Sequence, residues 1–316
     1  MMNIISNVKL GEILEELKAQ FPEHSFRSIA LKDMTEEDKA SMDILISHDG
    51  QIDEAFILQC PNLKWIAWYA AGVNKLPLAT IKEKNIILTN ARGVHKVQIS
   101  EYIFSYIMTD YKNVLEYYKL QQDKGFKTDI RHKELFEQTI CFIGTGEIPS
   151  YAARIAQAFN MKVIGINTAG QDKAYFDEVY TIDERLSAFE QSDIIVNVLP
   201  ETESTIDLLK HEDFQAMGSD ALFINVGRGT VVKEDILIQA LTDKVIRFAC
   251  LDVFYNEPLE ANHPLYKLDN VIMTPHITGL STHYNQRATN IFVDNMNIGI
   301  DNKHNFKNLV DLDKGY

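Results

Sequence analysis

How this chain folds is decided by the stretch Thr139–Pro149, which reads TICFIGTGEIP. An apolar run of strand length leads directly into two closely spaced glycines, and a helical pattern follows from Ser150 to Phe159. In such a strand–turn–helix unit the first glycine permits a tight turn, and the second lets a pyrophosphate approach the backbone. The helix start adds unpaired N–H groups and partial positive charge. The stretch therefore predicts a dinucleotide site built from Gly144, Thr145, Gly146, Glu147 and Ile148.

Pro149 stands where the dinucleotide fingerprint has its third glycine. Proline is tolerated in the first turn of a helix, where its missing N–H is no loss, but the packing of helix on strand should loosen. The alternative to a cofactor site is a tight turn between strand and helix that binds nothing.

The next predicted strand ends at Asn167-Thr168, where an NAD-binding unit normally has an acidic residue that binds the ribose hydroxyls. Without that carboxylate nothing repels the 2′-phosphate of NADP, and Asn167, Thr168 and Lys173 can donate hydrogen bonds to it. The sequence therefore favours NADP over NAD. The alternative is that Asn167 binds the ribose of NAD.

Length and composition indicate a globular protein of two domains. The chain has 316 residues, 46% of them hydrophobic and 24% charged. This length exceeds what a single hydrophobic core usually supports. The net charge of −14 argues against nucleic acid or an anionic membrane surface as a partner. No apolar stretch approaches the roughly 18 residues that span a bilayer. Because the start of the chain lacks a secretory-signal pattern, we expect a cytoplasmic protein.

The three cysteines, Cys60, Cys141 and Cys250, lack the paired spacing of a metal site or a redox couple. Two of them lie in apolar runs, and free cysteine packs as a small hydrophobic residue. We therefore expect reduced packing cysteines and no bound metal.

The first hundred residues alternate short β-rich runs with helical patterns, which predicts parallel strands joined by right-handed crossovers. The predicted strands are Phe26–Leu31, Asp43–Ser47, Lys64–Tyr69 and Asn85–Thr89. Thr35 begins a pattern typical of an N-capped helix. From Val97 to Leu120 an apolar stripe predicts one long helix between the domains.

A second series of seven predicted strands begins at Thr139. These strands are Thr139–Ile143, Lys162–Ile166, Glu178–Thr181, Ile194–Val198, Ala221–Asn225, Ile246–Leu251 and Val271–Met273. A parallel sheet needs helices on both faces. The final helical segment, Ser281–Ile300, is too short to fold alone and should pack on one of the two domains.

Several candidate functional side chains follow the later strands. Open α/β sheets bind ligands at the carboxyl ends of their strands. Arg228 would bind a carboxylate through its bidentate guanidinium, and His276 would give a proton to a carbonyl oxygen as hydride arrives. Glu257, paired with the imidazole, would favour its charged form and fix its tautomer. Taken singly, the alternatives are a surface arginine, a turn carboxylate and a core histidine.

In order and spacing these motifs resemble the D-isomer-specific 2-hydroxyacid dehydrogenases over nearly the whole chain. The matching segments are the Gly144 loop, Leu199-Pro200, Asn225–Gly229, Leu251–Pro258 and Pro275-His276. The resemblance implies that Arg228, Glu257 and His276 are catalytic and that Asp252 contacts the nicotinamide carboxamide. It also implies that Ala71, Gly72 and Val73 offer backbone N–H groups to the substrate carboxylate. Further cofactor contacts are expected from Leu199, Pro200, Thr205, Asn225, Val226, Gly227, His276 and Gly279.

The implied fold is α/β, with two doubly wound parallel-sheet (Rossmann-like) domains. The dinucleotide-binding domain, expected at 100–281, is inserted into a flavodoxin-like substrate domain formed by 1–99 and 282–316. The family usually dimerises through its cofactor domain, and the predicted helix from Val97 suits such an interface. A homodimer is therefore expected.

The predicted function is NAD(P)-dependent reduction of a small 2-oxo acid to its D-2-hydroxy acid. The alternative is an NAD(P)-sensing interaction protein without turnover, because the resemblance also reaches transcriptional co-repressors. The presence of Arg228, Glu257 and His276, which the resemblance implies are catalytic, argues against that alternative. Which 2-oxo acid is reduced stays open. The side chains expected to line the substrate pocket are aromatic rather than positively charged, which argues against a phosphorylated substrate: Ser47-His48-Asp49, Trp68-Tyr69, His95 and His283-Tyr284.

Overall fold

The computed structural model describes Met1–Lys314. The strands are β1 Asn3–Ser6, β2 Ser25–Ser28, β3 Ile44–Ser47, β4 Trp65–Trp68, β5 Ile87–Asn90, β6 Thr139–Ile143, β7 Lys162–Asn167, β8 Glu178–Thr181, β9 Ile194–Asn197, β10 Leu222–Asn225, β11 Phe248–Leu251 and β12 Val271–Met273. The α-helices are α1 Glu12–Gln20, α2 Glu36–Ser41, α3 Glu54–Leu58, α4 Leu78–Glu83, α5 Lys96–Tyr111, α6 Val114–Gln122, α7 Glu147–Ala158, α8 Arg185–Phe189, α9 His211–Met217, α10 Glu234–Thr242 and α11 Tyr284–Ile298.

The chain divides into two compact units. One consists of Met1–Val94 together with the segment that begins at Ser281, and the other is His95–Leu280. None of the helices in the described part of the chain is long and apolar enough to cross a membrane.

The first unit contains a five-stranded sheet in the order β2-β1-β3-β4-β5, and all of its strand pairs are parallel. Apolar side chains fill both faces of the sheet. Helix α11 packs on one face, where Phe292 stacks on Trp65 with ring centroids 5.0 Å apart. Burial of this helix face explains why α11 belongs to the first unit although it follows the second in sequence.

The second unit contains a seven-stranded parallel sheet in the order β12-β11-β10-β9-β6-β7-β8. Strand order reverses between β6 and β9, which is the switch point where open α/β sheets bind ligands. The two sheets confirm the predicted fold class of two doubly wound parallel-sheet domains. Cys141 and Cys250 are buried in this unit, Cys60 is buried in the first, and no disulfide joins them.

Two elements differ from the sequence prediction. Strand β1 was not predicted, although it lies second in its sheet, between β2 and β3. The predicted single helix from Val97 to Leu120 is wrong, because Asn113 adopts a left-handed φ of 51° and separates α5 from α6. The stripe is buried along α5, but Val114 and Leu115 in α6 are 48% and 54% exposed.

Candidate active site

The turn from β6 into α7 is shaped to receive an anion. Gly144 has a φ of 108°, which side-chain-bearing residues rarely adopt, and its N–H donates to the Ile166 carbonyl at 2.8 Å. Gly146 is the N-cap of α7 and provides no side-chain cap, and a Cβ built on it would meet nothing within 4 Å. The open space therefore borders the unpaired N–H groups of the helix start. These residues fit the pyrophosphate of a dinucleotide.

Helix α7 stays closely packed despite Pro149. Pro149 is buried, and Ala152, Ala153 and Ala156 are fully buried beneath the helix. The loosening expected from the missing third glycine is therefore not seen, because small side chains one and two turns later keep the helix against the sheet. The Glu147 carboxylate in the first turn pairs with Lys96 at 3.3 Å.

Asn167, at the end of β7, uses its side chain to close a turn. Its Oδ1 accepts from the N–H groups of Ala169 and Gln171 at 3.1 and 3.2 Å. Its Nδ2 donates to the Gln171 carbonyl at 2.9 Å and to Oγ1 of Thr145 at 3.2 Å. The turn is thereby tied to the glycine loop. Thr168 and Lys173 are exposed on the same segment, and a contact of any of these residues with a ribose or a 2′-phosphate stays a prediction.

The loop that carries Arg228 is fixed by close packing. A Cβ on Gly229 would lie 1.9 Å from the carbonyl carbon of Phe254, so only glycine allows this approach. Asn225 donates from Nδ2 to the Arg228 carbonyl at 3.1 Å. A second loop, from Pro200 to Thr205, is closed by a hydrogen bond from Oγ1 of Thr205 to the Pro200 carbonyl at 2.7 Å. The Arg228 backbone therefore has little freedom.

The guanidinium of Arg228 is available to an anion. Its Nη1 donates to the Gly227 carbonyl at 2.7 Å, and the side chain is exposed. Within Met1–Lys314 no Asp or Glu oxygen lies within 4.0 Å of it. An unpaired guanidinium in a fixed loop can form a bidentate pair with a ligand carboxylate.

His276 and Glu257 form a hydrogen-bonded pair. Nδ1 of His276 lies 2.7 Å from Oε2 of Glu257, and the other carboxylate oxygen accepts the Phe254 N–H at 3.0 Å. A carboxylate only accepts hydrogen bonds, so Nδ1 carries the proton. Nε2 is then the ring nitrogen that can exchange a proton with a ligand. The two side chains are 50% and 34% exposed, which allows a ligand to reach them.

Asp252 anchors the segment that carries His276. It is fully buried, and its oxygens accept from the N–H groups of Ile277 and Thr278 at 2.9 and 3.0 Å. The hydroxyls of Thr274 and Thr278 donate to it at 2.5 and 2.6 Å. Its four hydrogen bonds give Asp252 a structural role, and a contact with a nicotinamide carboxamide stays a prediction.

A cavity of about 550 Å³ lies against the His276–Glu257 pair. Both members of the pair line it, and most of its wall is apolar: Phe254, Leu259, Tyr266 and Met273. The cavity therefore offers a ligand apolar surface directly beside the pair.

In the first unit, Ala71, Gly72 and Val73 follow β4 at the carboxyl end of the sheet. Trp68 donates from Nε1 to the Gly72 carbonyl at 2.8 Å, and Asn90 donates to the Ala71 carbonyl at 2.9 Å. These bonds use the carbonyl groups only. Across Met1–Lys314, the N–H groups of Ala71, Gly72 and Val73 donate to no other group. Ala71 and Gly72 are exposed, so their N–H groups are available to an anion, whereas Val73 is only 1% exposed.

The sequence analysis did not identify Thr274, two residues before His276, or Tyr106, which contacts Thr274. Tyr106 of α5 places its hydroxyl 2.5 Å from the hydroxyl of Thr274. Thr274 directly precedes the recognised Pro275-His276 pair, so its position was a usable signal. Tyr106 gave none, because a tyrosine in a helix with many apolar residues is usually a packing residue.

Comparisons with known proteins identify a family and several relatives. The family model of the D-isomer specific 2-hydroxyacid dehydrogenase NAD binding domain matches residues 104–278. A glyoxylate/hydroxypyruvate reductase B of Yersinia pestis (strain Pestoides F) is 31% identical over 268 residues, which cover 80% of this chain and 79% of the relative. A second such reductase, from Yersinia enterocolitica, is 29% identical over 90% of each chain. A solved D-isomer specific 2-hydroxyacid dehydrogenase family protein from Aeromonas salmonicida has a TM-score of 0.85 at 27% identity, covering 98% of this chain and 99% of that chain.

Proposed function

Because this chain belongs to the D-isomer specific 2-hydroxyacid dehydrogenase family, we propose that it reduces a small 2-oxo acid to its D-2-hydroxy acid with NAD(P)H. The observation that carries the proposal is the 2.7 Å contact between Nδ1 of His276 and Oε2 of Glu257. This contact leaves Nε2 as the nitrogen that meets a substrate. Similarity to enzymes named glyoxylate/hydroxypyruvate reductase makes glyoxylate and hydroxypyruvate the first substrates to test.

The proposed roles of the catalytic residues follow from their contacts. The nicotinamide cofactor supplies a hydride when bound. Nε2 of His276 gives its proton to the carbonyl oxygen, which becomes the hydroxyl of the product. Glu257 holds Nδ1 and stabilises the charged imidazole before the proton leaves. Arg228 binds the carboxylate of the 2-oxo acid, which fixes the carbonyl relative to His276.

We propose His95–Leu280 as the dinucleotide-binding domain. The Gly144 loop and the start of α7 would hold the pyrophosphate, and the loops at Leu199-Pro200 and Asn225–Gly227 border the same sheet edge. The neutral Asn167 supports NADP as the preferred cofactor, because no carboxylate at this position repels a 2′-phosphate. In the first unit, the free N–H groups of Ala71–Val73 are proposed as donors to the substrate carboxylate.

A panel assay tests the proposal. NADH and NADPH are each combined with glyoxylate, hydroxypyruvate, 2-oxoisocaproate and phenylpyruvate, and cofactor oxidation is followed by absorbance. We expect turnover with at least one acid, a D-configured product, and a higher kcat/KM with NADPH. Cofactor binding without turnover on any acid would instead indicate the NAD(P)-sensing interaction protein.

We also propose that the chain forms a homodimer through its dinucleotide-binding domain. Large apolar side chains are exposed in and after α6: Val114, Leu115, Tyr118 and Phe126, at 48%, 54%, 62% and 95%. Several large apolar side chains exposed within a short segment are typical of interaction sites. Sedimentation should give twice the mass of one chain, and the double variant Leu115→Glu/Tyr118→Glu should sediment as a monomer. A monomeric wild type contradicts this proposal.

A further inference from the structure

A chain of hydrogen bonds connects helix α5 to the segment that carries His276. The Tyr106 hydroxyl lies 2.5 Å from the Thr274 hydroxyl, which donates to Oδ1 of Asp252 at 2.5 Å. Tyr106 is 4% exposed and Asp252 is 0% exposed, whereas Thr274 between them is half-buried and borders the cavity beside His276. A fully satisfied polar network in such surroundings makes its members rigid.

The direction of this chain follows from the donors around Asp252. The carboxylate faces two backbone N–H groups, of Ile277 and Thr278, and two hydroxyls, of Thr274 and Thr278. The single hydroxyl proton of Thr274 points to the carboxylate, because a carboxylate only accepts. The Tyr106 hydroxyl must therefore donate to Thr274. Burial raises the pKa of Tyr106, which keeps that proton in place.

The same network fixes the backbone on both sides of His276. The His276 N–H donates to the Asp252 carbonyl at 2.8 Å, while the Asp252 carboxylate holds the next two N–H groups in the chain. His276 has a left-handed φ of 54°, a conformation that persists only where surrounding contacts impose it. The orientation of its imidazole toward Glu257 therefore depends on these contacts.

We infer that Tyr106 and Thr274 are positioning residues that act through Asp252 to hold His276 in its orientation toward Glu257. The inference rests on the proposed function, in which His276 exchanges a proton with the substrate. Neither residue is assigned to a substrate or cofactor contact. Their effect is expected in turnover rather than in cofactor affinity.

Substitutions at Thr274 and Tyr106 test the inference through kinetics. Thr274→Val removes the hydroxyl with little change of volume, and Thr274→Ser keeps it. We expect kcat to fall about tenfold in Thr274→Val and about threefold in Tyr106→Phe, with an unchanged KM for the cofactor. Thr274→Ser should restore most of the turnover. Tyr111→Phe is the matched control, because Tyr111 is a buried tyrosine on the same helix whose hydroxyl donates to Gln138.

A second measurement does not depend on turnover. In protein labelled with ¹⁵N-histidine, the Nδ1 proton held by Glu257 should give a downfield NMR resonance in the wild type, Thr274→Ser and Tyr111→Phe. This resonance should shift or broaden in Thr274→Val and Tyr106→Phe. An unchanged resonance in both variants, or an equal loss of turnover in Tyr111→Phe, overturns the inference. A wild type that reduces no 2-oxo acid, with the resonance still displaced in the variants, overturns the proposed function and leaves the network's control of His276 supported.

Discussion

At the residue scale, the guanidinium of Arg228 has no carboxylate partner in the part of the chain that the structure describes. Arg247, by contrast, is held by Asp110 at 2.6 Å, and Arg185 by Asp213 at 2.6 Å. Because the Arg228 backbone is fixed and its guanidinium is not paired with a carboxylate, the guanidinium is suited to bind an incoming anion. Arg228 therefore offers the most direct test of how the substrate carboxylate is bound.

We predict that Arg228→Ala lowers kcat/KM for the 2-oxo acid by about a hundredfold to a thousandfold, because two charge-assisted hydrogen bonds are lost. Arg228→Lys should recover only part of the loss, since an ammonium cannot form the bidentate pair. Steady-state kinetics at subsaturating substrate measure both effects. Near-normal turnover of Arg228→Ala on every acid of the panel would contradict the assignment.

The candidate site could be predicted from sequence only in part. Arg228, Glu257 and His276 were predicted because each follows a predicted strand, whose carboxyl end lies at one sheet edge, and because their order and spacing resemble the family. Tyr106 could not be identified, because its contact with Thr274 spans 168 residues and depends on how α5 packs on the sheet. Local patterns contain no information about such a long-range hydrogen bond.

At the element scale, α7 begins without a side-chain cap, as α1, α5 and α11 also do. Gly146 has an extended backbone, with φ −75° and ψ −161°, which other residues adopt without strain. The space beside it is also open. A capping side chain could therefore stand there without cost to the fold, which makes Gly146 a suitable position for testing where the pyrophosphate binds.

We predict that Gly146→Asp separates stability from cofactor binding. The aspartate should cap α7 and stabilise the protein without cofactor by about 0.5 to 1 kcal/mol, because a capping side chain gains a few tenths over glycine and its charge interacts favourably with the helix dipole. Its carboxylate should lower NADPH affinity by at least about a hundredfold, because it occupies and repels the position of the pyrophosphate. Urea unfolding and fluorescence titration measure the two effects. The neutral control Gly146→Ser should stabilise similarly and weaken binding less, and undiminished affinity in Gly146→Asp would rule out this phosphate position.

Helix α2 confirms the helix start predicted at Thr35. Asp38 donates its N–H to the Thr35 hydroxyl and accepts from the Thr35 N–H at 2.9 Å, forming a capping box. The hydrogen bonds from Thr35, together with Arg27 at 2.6 Å, hold the pKa of Asp38 below its usual value of 3.8. Because the pKa is lowered in the folded state, this contribution to stability is present above pH 3.8 and is lost as the pH falls below it.

We therefore predict that Asp38→Asn lowers the urea midpoint of unfolding at pH 7 and that the difference from the wild type shrinks below pH 3.8. Glu37→Gln, an exposed carboxylate in the same helix, is the matched control and should change the midpoint little at either pH. Equal differences for Asp38→Asn at both pH values would show that its charge does not contribute.

Element boundaries were less predictable than element order. Strand β1 contains only two apolar residues between Asn3 and Ser6, too few for a recognisable strand pattern. The break at Asn113 was hidden because Val114 and Leu115 continue the apolar stripe, although the structure exposes both. Their exposure is consistent with a contact surface, so a pattern that predicts burial in a core can equally indicate burial in an interface.

At the scale of the whole molecule, the net charge of −14 describes the surface and not the candidate site. Local donors to anions are present in both units: the N–H groups at the start of α7, those of Ala71–Val73, and the guanidinium of Arg228. Backbone donors and one fixed cation can bind an anion against an unfavourable overall charge, because their attraction is short-range and the distant charges are screened by salt.

If the proposed cofactor contacts lie in His95–Leu280, NADPH should stabilise that unit in the full chain. At a ligand concentration about 100 times Kd the stabilisation is about 2.7 kcal/mol, which raises the Tm of a unit of this size by about 5 to 10 °C. Calorimetry measures the shift, and hydrogen exchange should show protection at the Gly144 loop. Arg228→Ala should keep the full shift and His276→Ala most of it, because their main proposed roles concern the substrate, whereas Gly146→Asp should lose it. Loss of the Tm shift in His276→Ala would mean that His276 contributes mainly to cofactor binding. That result would contradict its assignment as the proton donor.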